Sequence, residues 1–223
     1  MTTSESAQGA VFDLDGTLVD NMRFHIDAWV SYGASLGFSI TREMVERDFA
    51  GKRNEEIFGQ LFGASLSAAD LDRMAEEKEA VYRDLYAPHV APVDGLIPFL
   101  DALKRRGIRA ALATSAPSRN RVWLLERLGL AETFERVIGP ESVQRGKPFP
   151  DIFLAAARAL ELPPAACIAF EDAVNGVTSA VRAGMRVAAL TTMSPAEALR
   201  QAGARWVLPD YRALPADLAE MLG

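Results

Sequence analysis

The chain has 223 residues, 49% hydrophobic and 24% charged, enough apolar surface to fill a core without staples. Thirty Asp and Glu against 24 Lys and Arg leave a net charge of −6, which lacks the basic face that nucleic acid demands. A lone cysteine, Cys167, excludes a disulfide framework or a cysteine-rich zinc site, and no apolar run approaches the roughly 18 residues of a membrane helix. Residues 1–9 are polar and carry no secretion pattern. The expectation is a cytoplasmic monomer with neither nucleic acid nor membrane as partner, built as one large domain or a domain with an insertion.

In chain order, residues 10–14 open with an apolar run that reads as a strand. Residues 21–90 show only helical periodicity, with Ile26, Trp29, Val30 and Ala34 as a stripe. Thr41, Asn54 and Ser67 are the expected caps there, and Ser67-Ala68-Ala69-Asp70 has the form of a capping box. Pro88 and Pro92 bracket the return to a different rhythm.

From there strands and helices alternate. Residues 109–114 read as a strand, followed by a helix capped by Ser118, striped by Val122, Leu125 and Leu128, and closed by Gly129. A strand at 136–139 precedes a helix from Asp151 to Leu160, after Pro150. A strand at 167–171 leads to a helix from about Asn175 to Gly184. Residues 186–191 form the next strand, then Ser194-Pro195-Ala196-Glu197 combines a capping box with proline at the first helical position. Gly203 ends that helix, and residues 205–208 make the last strand.

Nearly all these apolar runs lack two-residue alternation, as parallel strands covered on both faces should. The chain is therefore expected to be α/β: a doubly wound, parallel-sheet, Rossmann-like core over 1–20 and 91–223. A small helical domain over 21–90 is inserted after the first strand.

The first strand runs into Asp13-Leu14-Asp15-Gly16-Thr17. Carboxylates two residues apart point the same way if both are still on the strand. Ligands of open α/β sheets sit beyond the carboxyl ends of the strands. A second pair, Glu171-Asp172, ends the strand at 167–171. Either pair alone fits loop capping as well as ligand binding. If the strands adjoin, four carboxylates converge, and a magnesium ion would relieve their repulsion. Lys147, pinned in Gly146-Lys147-Pro148-Phe149-Pro150, and Thr114-Ser115 at a strand end supply the cation and hydroxyls a phosphate needs.

The ordered set Asp13-Leu14-Asp15-Gly16-Thr17, Thr114-Ser115, Lys147-Pro148 and Glu171-Asp172-Ala173-Val174-Asn175-Gly176 resembles the four motifs of the haloacid dehalogenase superfamily. The resemblance spans about residue 10 to 210, and the helical insertion is similar to that superfamily's small cap. The subgroup it resembles is the β-phosphoglucomutase-like phosphatases. It implies Asp13 as nucleophile through an aspartyl-phosphate, and Asp15 as general acid and base. Thr114 would bond the phosphoryl oxygens, and Lys147 would offset the charge. Magnesium would be held by Asp13, by Asp172 with Glu171 beside it, and by the backbone carbonyl of Asp15. A carboxylate at Asp15 sets the chain apart from the dehalogenases and phosphonate hydrolases of the lineage.

For substrate contact the resemblance nominates Ser115, and His25, Lys52, Arg53 and Lys78 in the cap. His25 and Trp29 fit a hinge and a core aromatic equally well. It places Asn54 where the mutase carries a phosphate-binding arginine. The implied activity is a magnesium-dependent phosphatase of a small phosphorylated metabolite, a sugar phosphate. A β-phosphoglucomutase is the alternative, and a phospho-accepting receiver domain a more distant one.

Overall fold

A computed structural model describes residues 6–49, 54–63 and 66–223. The six apolar runs all form strands, with ends displaced by no more than two residues. They are β1 (Gly9–Phe12), β2 (Arg109–Ala113), β3 (Arg136–Ile138), β4 (Cys167–Glu171), β5 (Arg186–Leu190) and β6 (Trp206–Leu208). All neighbours pair in parallel, in the order β3-β2-β1-β4-β5-β6. β1 and β4 are buried along their whole length, which explains their unbroken apolar sequences.

The chain divides into two compact units. One comprises the chain up to Asp20 with Ala91–Gly223, the other Asn21–Val90. The second unit is helical: α1 (Met22–Ser35), α2 (Arg42–Met44) running into a π-helical turn at Val45–Phe49, α3 (Asn54–Phe62) and α4 (Ala68–Tyr86). Its core gathers Trp29, Tyr32, Ile57, Phe58 and Met74. Thr41 and Ser67 cap their helices as expected, each hydroxyl accepting from the amide three residues on, at 3.2 and 3.1 Å.

The larger unit adds α5 (Leu96–Arg105), α6 (Ser118–Leu128), α7 (Asp151–Ala159), α8 (Val174–Arg182), α9 (Ala196–Gln201) and α10 (Ala216–Met221). On one sheet face Val11, Ala111 and Ala169 pack beneath Phe153 of α7 and Val177 of α8. On the other, Phe12 stacks on Phe170 at 4.6 Å and both meet the edge of Phe99 from α5. Truncating a ring in such a stack costs about 3–5 kcal/mol. Helices cover both faces, as a doubly wound sheet requires.

Several local expectations are corrected. Of the expected α1 stripe Trp29 is buried and Ile26 packs against the helical core, but Ala34 is exposed, and Phe24, Ala28, Tyr32 and Gly33 complete the buried face. The stripe is rotated because Ile40 packs where a side chain on Gly33 would stand, 2.5 Å from that position. Val122 is exposed, since α6 turns Leu124, Leu125 and Arg121 inward, the last bound to Glu141 at 2.5 Å and to the Ala116 carbonyl at 2.7 Å. Ser118 lies inside α6 and Pro117 takes the cap position. Likewise Pro195, rather than Ser194, precedes α9, and no side chain caps it. Asn54 begins α3 as a helical residue, with its amide directed to Glu79.

Candidate active site

β1 and β4 lie side by side, with β2 and β3 beyond one and β5 and β6 beyond the other. The chain therefore reverses its winding direction between them, and their carboxyl ends flank the crevice where such sheets bind ligands. β1 stops at Phe12, so the two aspartates do not share a strand. Asp13 stays in register through its N–H to Phe170 O at 2.9 Å, whereas Asp15 lies in the following turn. That turn closes through Leu18 N–H to Leu14 O and Gly16 N–H to Val19 O, both 2.8 Å. Gly16 has φ +80, and a Cβ on it would fall 1.7 Å from Asp172 Oδ2. Only glycine fits.

Across the crevice Lys147 Nζ donates to Asp13 Oδ1 at 2.7 Å and to Glu171 Oε1 at 2.6 Å. The other Glu171 oxygen accepts the N–H groups of Asp172 and Ala173, at 2.9 and 3.0 Å, where α8 begins. Glu171 also packs against Gly176, where a side chain would stand 1.8 Å from Oε1. Asp172 is different. Among the described residues, its Oδ1 receives a long contact from the Thr17 hydroxyl, 3.4 Å, and its buried Oδ2 finds no hydrogen-bond partner.

Asp13, Glu171 and Asp172 can each offer a carboxylate oxygen within 4.8 Å of the others. One lysine does not balance three carboxylates. Burial, with help from Glu171, pushes Asp13 up to about 7 despite Lys147. Burial, then Glu171 and Asp13, raises Asp172 well above the usual carboxylate range. Burial alone would lower Lys147, but Asp13 and Glu171 outweigh it and hold the amine above its ordinary value. A buried carboxylate oxygen without a donor, in an all-oxygen set with excess negative charge, fits a hard divalent cation. The Asp15 side chain is outside the carboxylate trio.

The remaining expected residues are less uniformly placed. Thr114 is buried at the end of β2, its hydroxyl accepting from Ala116 N–H at 3.1 Å, and Ser115 is exposed. In the helical unit, Lys78 is 2% exposed and bonded to Glu79 at 2.9 Å. It also comes within 3.2 Å of His25 Nδ1. Lys52 and Arg53 lie outside the described residues.

Sequence reasoning assigned no role to Thr17, Thr192 or Tyr211. Thr192 donates to the Gly16 carbonyl, and Tyr211 to the Thr17 carbonyl at 3.2 Å. Burial, then the charges of Asp172 and Asp13, keeps the Tyr211 phenol protonated. Separations of 176 and 194 residues leave no local signal for these bonds.

The fold and the buried carboxylate–lysine centre define a Rossmann-like α/β enzyme equipped to handle an anionic group. The profile of the haloacid dehalogenase-like hydrolases matches residues 7–184, and the chain belongs to that family. It is similar to the β-phosphoglucomutase of Bacillus subtilis, 34% identical over 185 residues and 80% of each chain. It is also similar to validoxylamine A 7'-phosphate phosphatase of Streptomyces hygroscopicus, 32% identical over 86% of this chain and 90% of the other. Among solved structures, a haloacid dehalogenase hydrolase of Entamoeba histolytica superposes with a TM-score of 0.86 at 26% identity, covering 96% and 99% of the two chains. The chain is accordingly an enzyme, a phosphoric monoester hydrolase of the haloacid dehalogenase type. No helix among the described residues is long and apolar enough to cross a membrane.

Proposed function

We propose that this enzyme hydrolyses the monophosphate ester of a small sugar-like metabolite, with magnesium and through a phosphoryl group carried on Asp13. The observation that carries the reading is the pairing of Lys147 with Asp13 and Glu171 beside the partnerless Asp172 oxygen. The relatives support the substrate class, among them a phosphorylated carbohydrates phosphatase of Thermotoga maritima, 30% identical over 88% of this chain.

Magnesium, when bound by Asp13, Asp172 and the Asp15 carbonyl, would supply positive charge to offset the phosphoryl oxygens and the nucleophile. Asp13 attacks phosphorus, and the ester P–O bond breaks. Asp15 gives its proton to the departing oxygen. Asp15 then takes a proton from water as that water attacks phosphorus, and the bond to Asp13 breaks. Phosphate leaves, and both aspartates return to their starting states. Lys147, fixed by Glu171, steadies Asp13 and the transferring group, and the Thr114 hydroxyl bonds its oxygens. In this reading Glu171 acts on Lys147 and α8, and Asp172 meets the metal directly.

The similarity to a mutase raises transfer to a second hydroxyl as the rival outcome. That reaction must hold a second phosphate with strong cations. Here Asn54 donates to Glu79 at 2.8 Å, and Lys78 is already paired with that same carboxylate. These pairings favour hydrolysis. Membership of the hydrolase family sets the receiver-domain alternative aside. The test is a phosphate-release screen over sugar phosphates, phosphoglycolate, nucleotides and pyrophosphate, with and without magnesium. Metal-dependent release from sugar phosphates is expected. Turnover undiminished in chelator contradicts the proposal.

A further inference from the structure

Three successive carbonyls in the turn after Asp15 are each held by a different part of the core. The Gly16 carbonyl accepts from the Thr192 hydroxyl, in the turn that follows β5. The Thr17 carbonyl accepts from the Tyr211 hydroxyl, beyond β6. The Leu18 carbonyl accepts from Val93 N–H at 2.9 Å. Holding a carbonyl fixes its peptide plane, so these bonds set the backbone of the turn residue by residue. Two of the three come from side chains and can be removed singly.

Tyr211 is itself held. Its ring lies against Phe99 at 5.1 Å and Phe170 at 5.9 Å, and its N–H donates to Asp94 O at 2.9 Å. The backbone after it packs so tightly on Gly95 that a Cβ there would stand 2.7 Å from Arg212 N. The phenol oxygen is thus placed by the sheet core rather than by the turn it serves.

The peptide units held in this way are the ones that touch Asp172. Thr17, fully buried, directs its hydroxyl at Asp172 Oδ1, and Gly16 abuts Oδ2. A displacement of either unit would shift the wall against which that carboxylate rests. We infer that Tyr211 and Thr192 are positioning residues, which hold the Gly16–Thr17 segment against Asp172 and thereby preset this carboxylate for a divalent cation. The inference rests on the metal-dependent phosphatase reading and deepens it. Outer partners of metal ligands act through orientation, and their loss lowers metal affinity by about tenfold or more.

The test uses Tyr211→Phe, Thr192→Val and Thr192→Ser in the full chain. The first two remove a hydroxyl and keep the shape, and the third restores the hydroxyl at residue 192. Magnesium affinity is read from the metal-dependent rise in melting temperature and from manganese titration followed by electron paramagnetic resonance. Turnover is followed separately. Tyr211→Phe and Thr192→Val should each weaken metal binding by about tenfold, while Thr192→Ser stays near the parent. The KM at saturating metal should change little.

A purely structural role predicts a lower melting temperature with unchanged metal affinity, and that result overturns the inference. So does a Thr192→Ser variant as weak as Thr192→Val. If Tyr211→Phe does not fold, the two Thr192 variants decide the matter. Failure of the underlying reading looks different: the parent itself then shows neither metal binding nor metal-dependent turnover.

Discussion

Glu171 and Asp172 are adjacent, yet their carboxylates meet opposite environments. Glu171 engages the Lys147 ammonium and two backbone N–H groups, while Asp172 keeps a buried oxygen with no donor. The first carboxylate is satisfied by the protein, and the second needs something from outside it. Asp172→Asn should therefore abolish magnesium-dependent stabilisation. Glu171→Gln should lower kcat by about tenfold or more by releasing Lys147, and should weaken magnesium binding less than Asp172→Asn does. Titrating both variants by calorimetry checks this, and equal loss of metal affinity in the two would contradict the division.

Replacing Asp13 by asparagine keeps the shape and removes one charge from a cluster in which three carboxylates face one lysine. Turnover should vanish. The fold should survive, with metal-free melting no lower than the parent's, because a buried, under-compensated charge has been removed. A retained phosphatase activity would show that another group is the nucleophile.

Protons compete with magnesium for this site. With Asp13 pushed up to about 7 by burial, the metal-free enzyme holds a proton there below that pH, and the cation must displace it. Magnesium affinity should climb by up to about tenfold per pH unit and per proton between about pH 5.5 and 7. Calorimetry in buffers of different ionisation enthalpy should detect proton release at pH 6. Affinity that is flat across this range contradicts the assignment of a protonated carboxyl cluster.

The helical unit carries an opposite pH signature. Burial alone would raise Glu79, but Lys78 and His25, with the hydrogen bond from Asn54, bring it from 4.5 down to about 2. A depressed carboxyl stabilises the fold above its unfolded value, and that contribution is lost as pH falls from about 4.5 toward 2. The lowering corresponds to about 3 kcal/mol. Urea unfolding of the parent and Glu79→Gln should show the parent ahead at pH 6, with the gap shrinking by about that amount on acidification. A gap independent of pH would contradict the pairing.

Strand positions were legible because buried parallel strands are written as apolar runs bounded by glycine, proline and charge, as in β4 and β5. The acidic pairs and Thr114 stand out in the sequence because each ends or follows such a run, and Lys147 because prolines pin its segment. Helix starts at Ser118 and Ser194 misled, since in each case a proline takes the cap position and leaves the serine's hydroxyl unused for capping. The α1 stripe is legible at Ile26 and Trp29 but not at Ala34, because a glycine, Gly33, marks a closely packed side where composition shows no bulk. Thr192 and Tyr211 were invisible for another reason: their partners are backbone carbonyls, which every residue has. Only folding brings them into register.

The measurement that bears most directly on the central claim is phosphorus NMR of the magnesium-loaded enzyme with β-glucose 1-phosphate, primed with a trace of glucose 1,6-bisphosphate. Hydrolysis on Asp13 predicts that inorganic phosphate accumulates with little glucose 6-phosphate, and that Asp13→Asn silences the spectrum's change. Efficient conversion to glucose 6-phosphate with negligible free phosphate would contradict the account and make the enzyme a mutase.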